Sequence, residues 1–140
     1  MSYVYYNPNP ERKRTSDCVV RALSKFLGVP WIEAYMELCV YGGFNSDMPS
    51  VNSVWASFLE HKGYKRRTVK DLCPHCYTLK DFCIDHPYGK FFVSLDVGYA
   101  ELFSTSNFGI ITGNHVVCVI DGDYFDTWDS GSEVVKYYWS

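Results

Sequence analysis

Apolar residues recur along this chain at two spacings, and the change from one to the other divides it. From Cys18 to Leu27 they fall at Val19, Ala22, Leu23, Phe26 and Leu27, one stripe of an amphipathic helix. Thr15-Ser16-Asp17 supplies N-cap chemistry, with the Asp17 side chain aimed at the first-turn N–H groups, and Gly28 stops the helix. Pro30 opens a second helix from Trp31 to about Val40, which Gly42-Gly43 ends. A third begins at Ser50 and carries Val51, Val54, Trp55, Phe58 and Leu59 at helical spacing, until Gly63 closes it.

After Gly63 the pattern turns to strands. Tyr64 to Val69 predicts one, Lys90 to Leu95 a second, the runs on either side of Asp121-Gly122 a hairpin, and Val134 to Trp139 the last. Between the first two, Thr78 with Asp81 predicts a capping box and a short helix that His86-Pro87 ends. Residues 3–14 hold Pro8 and Pro10 and read as an extended arm with a turn. Residues 96–112 are rich in Gly, Ser and Thr, with Phe103, Phe108, Ile110 and Ile111 interspersed, and read as a strand plus a long loop near the site. Helices first and an antiparallel sheet second is an α+β order. A single domain over 1–140 is expected, with its helical part at about 15–63 and its sheet part at about 64–140.

Composition narrows the class. Apolar residues make up 47% of the 140, enough for one core. The 12 Tyr, 9 Phe and 4 Trp add core area but bring polar tips that need partners. Net charge is −3, and the basic runs Arg12-Lys13-Arg14 and Lys65-Arg66-Arg67 are short and read as solvated loops, so no nucleic-acid partner is expected. No stretch approaches the roughly 20 apolar residues of a membrane span, and no signal-peptide core is present, so no membrane partner is expected. The six cysteines (18, 39, 73, 76, 83 and 118) then sit in a reducing, cytoplasmic compartment rather than in a disulfide scaffold. Cys39 and Cys118 fall at apolar positions and read as small core residues.

The hairpin carries the first candidate chemistry. Asp121-Gly122 suits a two-residue type I′ turn, which would pair Ile120 with Asp123, Val117 with Asp126 and His115 with Trp128. Alternation then puts His115 on the face of Tyr124, Asp126 and Trp128, with Asp126 one diagonal step away. A carboxylate there can hold the imidazole's tautomer and stabilise its protonated form. Asp129 falls on the other face unless a bulge at Thr127-Trp128 re-aims it, so it stays an alternative orienter. Trp128 could wall the pair off from water or simply pack. Taken alone, such a pair also reads as an ordinary strand start with solvated carboxylates.

Cys18 changes that weighting. It opens the first helix, where uncapped N–H groups and the helix dipole favour a thiolate. Nucleophile on a helix, then base and carboxylate on successive strands, is how papain-type thiol hydrolases assemble a site. The alternative is a structural Cys18.

Three blocks go further. Asn7-Pro-Asn-Pro with Asp17-Cys18-Val-Val-Arg-Ala-Leu, Cys73-Pro-His-Cys-Tyr-Thr with His86-Pro-Tyr-Gly, and Gly113-Asn-His115 through Asp129-Ser resemble small phage and prophage proteins of the papain-like cysteine peptidase superfamily. The resemblance covers most of the chain and thins over 96–112, which looks like an insertion. It implies a papain-like fold, with Cys18 as nucleophile, His115 as base and an Asp of the 126–129 segment as orienter. It also implies a peptide or protein substrate, no required cofactor, and the host-cell cytoplasm if the chain is phage-encoded. One departure matters. Papain-type enzymes carry a Gln shortly before the Cys as an oxyanion donor, and Arg12 occupies that spot, leaving Asn7 or Asn9 as substitute donors.

A separate cluster, Cys73, Cys76, Cys83 and His86 with His75 as a fifth, has a Cys-x2-Cys knuckle that could hold structural zinc. A buried reduced thiol cluster or a redox pair are the other readings. Three functions follow: a thiol hydrolase with a Cys18–His115–Asp126 triad, a non-enzymatic binding or inhibitory protein on the same fold, or a zinc-knuckle interaction module.

Overall fold

The computed structural model describes residues 2–70, 75–97 and 114–140. In chain order the elements are β1 (Tyr3–Tyr5), α1 (Cys18–Leu27), α2 (Trp31–Phe44), α3 (Asn52–His61), β2 (Arg66–Thr68), α4 (Leu79–Asp85), β3 (Lys90–Asp96), β4 (Asn114–Ile120), β5 (Asp123–Asp126) and β6 (Val134–Trp139). Among the described residues six strands form one sheet in the order β1-β5-β4-β3-β6-β2. The architecture is α+β, with the N-terminal helices packed on the sheet. The sheet is mixed rather than purely antiparallel: the N-terminal arm pairs Tyr3–Tyr5 parallel to Tyr124–Asp126.

Alternation along β3 and β4 builds two cores. Phe92, Val116 and Cys118, with Trp139, meet Val19, Leu23 and Phe26 of α1 and Trp55, Phe58 and Leu59 of α3. The other row, Val93, Leu95, Val117 and Val119, meets Leu79, Phe82 and Cys83 of α4. Both rows are buried because helices cover both faces. Each fully buried Leu or Phe contributes roughly 1.5–3 kcal/mol of transfer free energy, which is what fixes α1 against β4.

The hairpin turn is as its sequence demands. Asp121 and Gly122 both take positive φ (49° and 80°), and Ile120 lies opposite Asp123. The α4 capping box is also present: the Thr78 hydroxyl accepts from the Asp81 N–H while the Asp81 carboxylate accepts from Thr78 N–H.

Four expectations are corrected. The second helix does not stop at Val40 but runs through Gly42-Gly43 to Phe44. A side chain at Gly42 would meet the Asp47 carbonyl at 2.7 Å, so that glycine admits the returning chain instead of ending the helix. Asp17 makes no side-chain cap on α1. Strand β5 ends at Asp126, so no His115–Trp128 rung forms. Finally, Arg66 and Arg67 belong to an exposed edge strand, and the Arg66 guanidinium lies 4.1 Å over the Tyr137 ring. Charged side chains on an edge deter further strand pairing. Cys118 is fully buried, whereas Cys39 is only half-buried.

Candidate active site

Cys18, His115 and Asp126 come together where the start of α1 meets the start of β4 and the end of β5. Hydrophobic packing of Val19 and Leu23 against Val116 and Cys118 sets α1 across β4 and brings its first residue to the rim of the sheet. The hairpin register puts Asp126 beyond the last rung, diagonal to His115. There His115 Nε2 and Asp126 Oδ2 are 2.6 Å apart. With Nε2 taken, Nδ1 is the nitrogen left for the neighbouring Cys18 thiol, on which His115 acts.

The charges of the pair follow from this wiring. Burial pushes the Cys18 thiol up, but the hydrogen bond and charge of His115, the Val116 backbone N–H and Arg21 together bring it below the ordinary thiol value. Burial pulls His115 down, and its hydrogen bonds to Asp126 and then Cys18 outweigh that, raising it to about 9. Both directions favour a thiolate beside an imidazolium. The first-turn N–H groups of α1, with no side-chain cap, add a positive field at the sulfur.

Asp126 is 1% exposed, and every lone-pair direction is used. Oδ2 also accepts from Ser130 Oγ at 2.8 Å. Oδ1 accepts from the Thr127 N–H at 2.7 Å and from Arg21 Nη2 at 3.2 Å. Arg21 turns its other end to Asp17 Oδ1, and Asp17 Oδ2 accepts from Trp31 Nε1 at 2.9 Å. Asp17 therefore anchors a buried arginine instead of a helix end. Neither Arg21 nor Ser130 was singled out by the hydrophobic pattern. The i, i+4 spacing of Asp17 and Arg21 is the signal that could have found the first of them.

The remaining candidates are placed as follows. Asp129 accepts from Tyr124 Oη and from the Gly131 N–H at 3.1 Å, away from the imidazole, so Asp126 is the carboxylate beside His115. Trp128 leans on His115, ring centroids 5.2 Å apart, and stays 38% exposed, so it forms a wall between the imidazole and solvent. Asn7 gives Nδ2 to the Lys13 carbonyl at 3.2 Å. Asn9 Oδ1 accepts from the Glu11 and Lys13 N–H groups at 3.0 and 3.3 Å. These bonds shape the 7–13 turn. Asn9 also lines, with Asp17, Val20, Trp31 and Tyr35, an open cavity of about 620 Å³ beside the start of α1.

Of the cysteine knuckle, Cys73 lies outside the described residues, as do residues 98–112 of the segment expected to form a strand and a loop near the site. Cys83 is 1% exposed among Leu79 and Phe82, and burial pushes its thiol up to about 12. His86 Nδ1 is 2.9 Å from the Phe82 carbonyl, and the ring stacks on Phe82. Among the described residues no three His, Cys, Asp or Glu side chains group around a metal position. Nor is any helix among them long and apolar enough to cross a membrane.

No protein-family model, curated protein or solved structure matches this chain.

Proposed function

We propose that the chain is a thiol-dependent hydrolase of papain-like fold, acting on peptide or isopeptide bonds. One observation carries the reading: a helix-leading thiol beside an imidazole that a buried carboxylate holds at 2.6 Å, with the thiol lowered and the imidazole raised. The Cys18 thiolate attacks the carbonyl carbon, a C–S bond forms and the π electrons move to oxygen. Collapse of that oxyanion breaks the C–N bond, and His115 gives its proton to the leaving amine. Water, deprotonated by His115, then attacks the thioester, releasing the acid and restoring the ion pair. Asp126 keeps the imidazole oriented through both transfers.

The test is brief exposure to substoichiometric iodoacetamide followed by site-resolved mass spectrometry. Cys18 is expected to label ahead of the other five thiols, and Cys18→Ala to fold but lose all hydrolysis of a mixed peptide pool. Labelling no faster at Cys18 than elsewhere, or turnover surviving in Cys18→Ala, removes the hydrolase reading.

A second reading, a binding or inhibitory protein on the same fold, is favoured by the outer face of α2. Ile32, Met36, Val40 and Phe44 recur there every fourth residue and are all more than half exposed, Phe44 at 82%.

A further inference from the structure

We infer that Arg21, held by Asp17, is a positioning residue that fixes Asp126 for His115. The inference rests on the hydrolase reading and deepens it. Arg21 lies one helical turn after Cys18 and is 6% exposed, between Asp17 at 5% and Asp126 at 1%. A guanidinium buried between two carboxylates is a costly way to fill a core position, since apolar replacements of buried ion networks are often neutral or stabilising. What the arrangement supplies is direction. The two terminal nitrogens of a planar fork point to two different carboxylates, so the guanidinium cannot turn about its own axis without losing one.

Each end is fixed in turn. Asp17 is held on its other oxygen by the Trp31 indole at 2.9 Å, and Trp31 belongs to the wall of the 620 Å³ cavity. Asp126 Oδ1 is saturated by Arg21 and the Thr127 N–H, so the Oδ2 edge is the one presented to His115. Take Arg21 away and Oδ1 keeps a single donor. The carboxylate then rests on Thr127 N–H, Ser130 Oγ and His115 alone, less tightly fixed, and it is left buried with only the imidazole as a counter-charge. Hydrogen bonds thus run unbroken from the cavity wall to the imidazole beside the thiol, through Trp31, Asp17, Arg21 and Asp126.

The test compares the wild-type chain with Arg21→Gln, Arg21→Lys and the double variant Asp17→Asn/Arg21→Gln. Rates of Cys18 alkylation by iodoacetamide are measured from about pH 5 to pH 10, spanning the thiol and imidazole titrations. The double variant removes the Asp17–Arg21 ion pair as a unit and leaves Asp126 its imidazole partner, so it is the form expected to fold. Arg21 also acts on the sulfur directly, so the thiol inflection rises with loss of its charge alone, and the imidazole inflection is the readout of positioning. Losing the fixed carboxylate narrows the reactive window from both sides: the thiol inflection rises and the imidazole inflection falls. A narrowing of about one pH unit or more is expected in both Gln forms, with Arg21→Lys intermediate because it keeps the charge without the fork. A role in folding alone would lower Tm and leave the imidazole inflection in place. A folded double variant whose imidazole inflection matches wild type overturns the inference while the hydrolase reading stands. A wild-type Cys18 no more reactive than the other thiols removes both.

Discussion

A cysteine and a histidine stand near each other at the sheet rim, Cys18 with His115, and follow each other three residues apart at the end of α4, Cys83 and His86. Burial works in the same direction on both thiols, raising them. At Cys83 the Asp123 carboxylate adds to the effect of burial, and the thiol stands at about 12. At Cys18 the imidazole, a backbone N–H and Arg21 outweigh the same penalty, and the thiol falls below its ordinary value. The histidines differ in parallel. His86 meets a carbonyl and three aromatic rings, whereas His115 meets a carboxylate at 2.6 Å. Residue type is therefore a poor guide to reactivity here, and the partner behind the histidine decides it.

The comparison breaks most sharply at Asp126. Asp126→Asn removes the charge that holds His115 protonated and should make Cys18 behave like Cys83. A loss of about 10²- to 10⁴-fold in Cys18 alkylation and in any hydrolysis is expected, in line with carboxylate-to-amide changes in other triads. An unchanged rate would mean the carboxylate is structural.

A pH series sharpens the same contrast through stability. His115 holds its raised pKa, about 9 against an ordinary 6.5, only in the folded chain. Its charge therefore contributes stability that is fully present below pH 6.5 and is lost as the pH rises through about 9. The lowered Cys18 thiol acts oppositely, contributing above its ordinary value of 9 and losing that contribution as the pH falls. With the thiol removed, the His115 contribution is isolated. Cys18→Ala should be more stable than Cys18→Ala/His115→Gln at pH 6.5, by a few degrees in Tm, and the gap should narrow as the pH rises, closing below 9 because the part of the shift due to Cys18 is gone. A gap that is constant or widens with pH would show that His115 gains no charge partner on folding.

The smallest effect is expected at Cys83. Cys83→Ser places a hydroxyl in an apolar site and should cost about 1–3 kcal/mol in denaturant unfolding, without altering Cys18 labelling. Metal content bears on the same point. About one zinc per chain after purification without added metal would require Cys83 as a thiolate, and the contrast between the two sulfurs would disappear.

Much of this was legible in the sequence because the signals are local. The helical stripe at Val19, Ala22, Leu23 and Phe26, the Asp121-Gly122 turn and the Thr78–Asp81 box each depend on a few adjacent residues, and each formed as its pattern demands. The choice of Asp126 over Asp129 was legible too, because a tight turn fixes strand parity. The errors were non-local. Gly42-Gly43 reads as a stop until the returning chain at Asp47 and Pro49 is seen pressed against it. Asp17 reads as a cap until Arg21 and Trp31 are found to claim its oxygens. The Tyr3–Tyr5 strand needs a partner more than a hundred residues away to exist at all.

The sequence by itself determined which residues can do chemistry and which face of the hairpin carries them, since periodicity and turn type are properties of neighbouring residues. Only the tertiary structure decided that the sulfur of α1 meets the imidazole of β4, and that a buried arginine stands behind the carboxylate. Those meetings depend on how α1 packs across the sheet, a matter of long-range shape that no short stretch of the chain encodes alone.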